Sequence, residues 1–162
     1  MASRPKPATT RIAYRIADAR HAIFDGTGAA LIGGRWNSPG RPAIYAAASY
    51  AGAMLERLVH AGTGQLPKHQ KVVLIRIPAR VSVEVWSLEK LPRGWAADDN
   101  IASRTFGDQW LARLRSAVLI VPSAVAKYEQ NIVINPLHAD FKWIGVSRPE
   151  PVQWDARLFA QK

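Results

Sequence analysis

An arginine, a glutamate and a serine, each in its own local setting, are the residues of this chain best suited to act together on a small anionic substrate. Arg35 lies in Gly33-Gly34-Arg35-Trp36-Asn37-Ser38-Pro39-Gly40, a turn bounded by glycine and proline where backbone meets ligand. Tyr45 and Glu56 follow it, and a second polar cluster, Val121-Pro122-Ser123-Ala124 with Asn131 and Asn135-Pro136, lies in the second half of the chain. A guanidinium offers a fork of donors that fits phosphate. A carboxylate steadies a developing sugar cation, and a hydroxyl fixes an amide or phosphate oxygen.

These residues need elements to hold them. Residues 1 to 10, rich in Pro, Thr and Lys without periodicity, read as a disordered leader, and order is expected from Arg11 onward. Strands are expected over 11–16 and, after the glycine-rich turn, over 43–46. Ser49 is placed to cap a helix over 50–60, whose apolar face is Ala53, Met54, Leu55, Leu58 and Val59, and Gly62 stops it. Glu56 rides on this helix. Strands are expected over 71–78 and 82–87, joined by a short Ala-Arg turn, then a helix over 105–115 and strands over 117–121, 132–135 and 143–146. Strands outnumber helices, and the order and irregular loops fit a compact α+β domain over 11–162, its sheet mostly antiparallel, better than regular βαβ winding.

Composition excludes several classes. At 162 residues the chain is long enough to bury a core without staples, and its lack of cysteine removes disulfides, thiolate metal sites and a cysteine nucleophile. That lack suits a reducing cytoplasm. The start, MASRPKPATT, has no apolar signal-peptide core, and no run approaches the roughly 18 apolar residues of a membrane span. We therefore expect a soluble, cytoplasmic protein with no membrane partner. His21, His60, His69 and His138 are too scattered for a metal site, so none is expected. The net charge of +10 is spread along the chain rather than gathered on one helix, and no nucleic-acid motif accompanies it. It favours a phosphate-bearing ligand or an acidic partner over direct nucleic-acid binding.

Taken in order, Tyr14-Arg15, Phe24-Asp25-Gly26 leading to Gly33-Gly34-Arg35-Trp36-Asn37, Ala43-Ile44-Tyr45-Ala46, Leu55-Glu56 with His60, Val121-Pro122-Ser123 and Asn131 to Pro136 resemble the RES domain. That family is named for arginine, glutamate and serine and is found in bacterial toxins paired with Xre-type antitoxins. The resemblance covers most of the chain. It implies a fold like that of the ADP-ribosyltransferase toxins, a split, mostly antiparallel sheet with flanking helices and NAD held in a central cleft. It also implies an enzyme that degrades NAD or transfers ADP-ribose, with NAD as substrate rather than retained cofactor and an Xre-type antitoxin as inhibitory partner.

Breaking the nicotinamide–ribose bond passes through a sugar cation, and Glu56 is the carboxylate that would stabilise it; its ordinary role would be a solvated partner of His60 one turn on. Arg35 would grip the NAD diphosphate, or else be a turn arginine stacked on Trp36. Arg15 is a second candidate clamp or a solvated strand residue. Tyr45 offers a ring to stack on nicotinamide, or is a half-buried strand tyrosine. Ser123 would reach the ligand with its hydroxyl, or close a turn as a cap. Asn135, held extended before Pro136, would orient the site or form an ordinary turn. Arg35, Glu56 and Ser123 form the expected catalytic set, and Arg15, Arg35, Tyr45, Ser123 and Asn135 the expected NAD contacts. The acceptor of ADP-ribose, whether water, phosphate or a protein, stays open. A basic, non-catalytic nucleotide- or nucleic-acid-binding module is the alternative.

Overall fold

The computed structural model describes residues 9–62 and 64–159. Most of the expected leader, residues 1 to 8, lies outside this range, and Thr9 and Thr10 are exposed and irregular. The architecture is α+β, one mostly antiparallel sheet with helices against it. In chain order the elements are β1 (Arg11–Asp18), α1 (Thr27–Ile32), β2 (Ile44–Ala47), α2 (Tyr50–Ala61), β3 (Gln70–Ile77), β4 (Val83–Val85), α3 (Ile101–Arg113), β5 (Val118–Pro122), β6 (Gln130–Ile134), β7 (Gly145–Val146) and β8 (Glu150–Pro151). The strands lie in the order β4-β5-β6-β2-β1-β3-β7, with β8 also paired to β3. Only β4 and β5 run parallel among the pairs described.

The sheet parts in its middle. β1 pairs with β3 over eight residues, from Arg11↔Ile77 to Asp18↔Gln70, but with β2 at one position, Tyr14↔Ala47. Beyond Tyr14 the two strands separate, and the Arg15 side chain bridges the gap by donating through Nη1 to the Tyr45 carbonyl of β2 (2.8 Å) and through Nε to Ile23 O. A backbone carbonyl that has lost its ladder partner thus finds a guanidinium instead.

Strand alternation divides the apolar residues between two faces. Ala13, Ile44, Ala46, Ile75, Ile132 and Ile134 pack on one face with Ile23 and Ile144. On the other, Leu119, Val121 and Val133 pack with Trp36, Trp110 and Leu111, while Ile16 and Ala47 meet Ala53 of α2. β5 reads as continuous apolar sequence because it is buried along its whole length.

α2 follows the expected course. The Ser49 hydroxyl accepts from Gly52 N (2.9 Å), and Gly62 ends the helix at φ 65°. Gly52 and Ala53 are its buried residues, small enough to let the helix lie close on the sheet. Four expectations need correction. A short helix, α1, fills the stretch between the two glycine clusters: Gly26 stands at its N-terminal end, Asp25 Oδ1 accepts from Thr27 N, and Gly33 at φ 75° stops it. The 82–87 strand shrinks to β4 and pairs in parallel with β5, because the turn before it carries the chain across the sheet. The 105–115 helix starts at Ile101. The 143–146 strand is reduced to Gly145–Val146, since Ala139–Trp143 winds into a 3-10 turn capped by His138.

Candidate active site

Glu56 and Ser123 meet directly. α2 crosses the face of the sheet that carries Asn131, and one carboxylate oxygen, Glu56 Oε1, accepts from the Ser123 hydroxyl (2.7 Å) and from Asn131 Nδ2 (2.8 Å). The second oxygen, Oε2, has no hydrogen-bond partner among the described residues. His60 does not engage this carboxylate; its Nδ1 bonds the Glu56 backbone carbonyl at 2.7 Å. One oxygen is thus fixed by two neutral donors while the other keeps its lone pairs for a ligand.

Ser123 is buried, and its oxygen is fully used. It donates to Glu56 and accepts from Val125 N (3.1 Å) and Ala126 N (3.0 Å), closing the turn after β5. The turn role and the site role coincide. The hydroxyl has no free proton or lone pair left, and its one donated bond fixes Glu56 Oε1.

The same β5–β6 connection grips α2 a second time. Glu129 Oε2 accepts from the Ser49 hydroxyl (2.6 Å), the group that caps the helix. A Cβ at Gly52 would come within 3.0 Å of both Glu129 Oε2 and Ser49 Oγ, so glycine leaves room for this contact.

Arg35 projects from the loop between α1 and β2, and its Nη1 donates to the carbonyls of Trp95 (3.2 Å) and Ala97 (3.1 Å). It forms neither a hydrogen bond nor a salt bridge with Glu56. The alternative reading of Arg35, a turn arginine stacked on Trp36, is not what forms: Trp36 stacks on Trp95. α3 fixes the loop closely. Arg104 Nε donates to Gly34 O (2.8 Å), and Asp108 accepts from Ser38 N (2.9 Å) and Ser38 Oγ (2.6 Å). A Cβ at Gly107 would stand 1.9 Å from the Trp36 carbonyl oxygen, so α3 approaches the loop as only glycine permits.

The Tyr45 hydroxyl accepts from Trp36 N (2.9 Å) and donates to Asn37 Oδ1 (2.6 Å), tying the loop to β2. Burial raises its pKa above the ordinary phenol value, and the bond from Trp36 N–H opposes this only in part. The hydroxyl is committed, and only the ring is left for a ligand. Arg15 bridges the strand parting as described, with its pKa lowered chiefly by burial.

Asn135 does not join the group. It is 1% exposed, its Nδ2 donates to Leu111 O (3.0 Å) and its Oδ1 accepts from Leu137 N (3.1 Å), so its amide is spent inside the core. Asn131, at the other end of β6, is the asparagine that reaches Glu56. A strand rises about 3.3 Å per residue, which puts the two asparagines about 13 Å apart. Both fall on one face by alternation; only the placement of α2 over one end and α3 over the other separates them. A depression of about 540 Å³, lined by Arg20, Lys68, Gln70, Lys71 and Trp154, contains none of these residues. Among the described residues no three His, Asp or Glu side chains stand close enough to hold a metal, and no helix is long and apolar enough to cross a membrane.

Comparison with known proteins follows the same lines. Residues 12–155 match the RES domain family. The chain is 41% identical over 152 residues to the "Prs ADP-ribosylating toxin" of Sphingobium sp. (strain YBL2), covering 90% of this chain and 94% of that protein. It is 36% identical over 155 residues to the protein "Toxin Res" of Photorhabdus laumondii, covering 93% and 99%. Its fold is similar to a chain in the crystal structure of the M. tuberculosis MbcT–MbcA toxin–antitoxin complex, with TM-score 0.71 and 20% identity over 87% of this chain and 83% of that one.

Proposed function

The chain belongs to the RES domain family, and from that premise we propose that it is the toxin of a toxin–antitoxin pair and cleaves the nicotinamide–ribose bond of NAD. The observation that carries the reading is the Glu56 carboxylate, anchored through Oε1 by Ser123 and Asn131 with Oε2 left free. As the carbon–nitrogen bond breaks, both of its electrons leave with nicotinamide, whose ring nitrogen becomes neutral, and the ribose carbon takes on cationic character. Oε2 stabilises that charge and orients the ribose hydroxyls without becoming covalently attached. An acceptor hydroxyl then bonds through its oxygen to the ribose carbon, and its proton passes to bulk water. A carboxylate fixed by two hydrogen bonds needs no rearrangement when the charge develops.

Water, phosphate and a protein side chain all satisfy this scheme. The 41% identity to a relative named as ADP-ribosylating favours a protein acceptor. The alternative of a basic, non-catalytic nucleotide- or nucleic-acid-binding module sits poorly with Glu56, since a carboxylate at the site repels an anionic ligand. The relatives named as toxins and the solved toxin–antitoxin complex of similar fold support an antitoxin partner, and the charge of +10 suits an acidic segment that covers the cationic groups NAD needs. The deciding experiment incubates purified protein with NAD and follows free nicotinamide, with ADP-ribose, its phosphate ester and modified protein as the products that identify the acceptor. Absence of nicotinamide release with every acceptor offered overturns the reading.

A further inference from the structure

Arg57 is the next residue on α2 after Glu56 and lies one turn beyond Ala53, which packs on Ile16 of β1 and Ala47 of β2. Residues four apart share a helix face, so Arg57 continues the stripe that α2 presents to the sheet. The residue is half-buried, its Nε is shut off from solvent without a hydrogen-bond partner, and among the described residues no carboxylate forms a salt bridge with it. Its charge bears on Arg15, whose Nε and Nη1 are spent on the Ile23 and Tyr45 carbonyls while Nη2 has no partner among the described residues. The one carboxylate that acts on Arg15, Asp25, is itself bonded to Thr27 N.

Two guanidiniums therefore share the strand parting with one committed carboxylate. Burying a guanidinium N–H without a hydrogen-bond partner is costly, and bringing a like charge beside it adds to the cost. A bound anion reverses both terms at once, because each guanidinium can offer paired donors to phosphate oxygens.

We propose that Arg57, with the free edge of Arg15, forms an anion subsite that takes the diphosphate of the dinucleotide at the strand parting. This rests on the reading of NAD as substrate. It puts Arg57 beside Glu56 in the binding of one ligand, with the carboxylate turned to the ribose and the guanidinium to the phosphates.

The test is calorimetry with ADP-ribose, which carries the diphosphate, and with adenosine, which does not, on the full chain and on Arg57→Met. The expected result is an ADP-ribose Kd raised about tenfold to a hundredfold, the loss of one charge-assisted contact, with adenosine affinity unchanged. Arg57→Lys recovers part of the loss, and KM for NAD rises with a smaller fall in kcat. Inorganic pyrophosphate competes with ADP-ribose on the native protein, a result that needs no variant to fold. Equal ADP-ribose affinity in native and Arg57→Met proteins overturns the subsite even when the native protein releases nicotinamide. Weakened binding of the antitoxin alone overturns it as well, by turning Arg57 toward the partner protein. A native protein that binds ADP-ribose through Arg57 yet releases no nicotinamide supports the subsite while refuting the proposed reaction.

Discussion

Replacing Glu56 by glutamine changes charge at one atom and little else. Glu56 Oε1 takes both donors, from Ser123 at 2.7 Å and Asn131 at 2.8 Å. A glutamine has the same shape and keeps both bonds through its own Oε1, which forces its Nε2 into the place of the free Oε2. The amide is locked with a donor where a negative charge had faced the sugar. No native hydrogen bond of the side chain is lost, so the unfolding midpoint should stay near that of the native protein. Turnover should fall by about 10²–10³, the usual consequence of removing one preorganised electrostatic contact, or about 2.7–4 kcal/mol. Affinity for ADP-ribose should hold, because the interaction removed matures only as the bond breaks. The assay is nicotinamide release at saturating NAD beside calorimetry with ADP-ribose. Turnover within about threefold of native in a folded variant would refute the role of Glu56. Collapse of the fold would refute the claim that Ser123 and Asn131 accept an amide in its place.

Ser123→Ala should lose about 1–3 kcal/mol of stability in urea, because Val125 N and Ala126 N lose their acceptor, and should lower kcat through a less firmly aimed Glu56; native stability would contradict the bonding described. Asn135→Ala should lose a similar amount of stability by stranding the Leu111 carbonyl, yet keep nicotinamide release per folded molecule; lost turnover at full folding would return Asn135 to the site. Gly107→Ala should cost about 1–3 kcal/mol or more, as a methyl cannot share space with the Trp36 carbonyl, and thermal unfolding measures it. Tyr45→Phe removes a phenol whose pKa is raised in the folded state. The stability linked to that protonated phenol is complete below the unfolded value of about 10 and declines as pH climbs above it, so the native protein should lose up to about 1.4 kcal/mol per unit there while the variant loses less.

The sequence spoke clearly wherever a local rule governed. Ser49 and Gly62 mark the ends of α2 because capping and left-handed stops are decided within a few residues. The strands β1, β2, β3, β5 and β6 were legible from apolar runs, and the family motifs put Glu56 and Ser123 in one expected site without implying that they bond to each other. What stayed hidden is what depends on distant packing. Periodicity does not tell that β4 joins β5 in parallel, since a parallel edge gives no hairpin signal. Nor does it tell Asn131 from Asn135 on one face of one strand. Arg57 carried no signal either, because an arginine after a glutamate on an amphipathic helix is common at solvent-facing positions. Its Nε is nonetheless buried where α2 packs on β1 and β2, a placement that periodicity does not reveal.

The β5–β6 connection and the start of β6 touch α2 at two levels, through Glu129 at its cap and through Ser123 and Asn131 at Glu56 about two turns later. Two points of attachment along a cylinder remove its freedom to roll and to slide, which one point cannot do. A carboxylate at the end of a side chain magnifies any roll of the helix beneath it, and a site of this kind tolerates misplacement of only about 0.5 Å. The stretch 124–128 therefore works as the frame of a clamp. Shortening or lengthening it would leave every substrate-facing group in place by name while twisting the helix that aims one of them, so variation in this surface turn should register as a change in turnover rather than in binding.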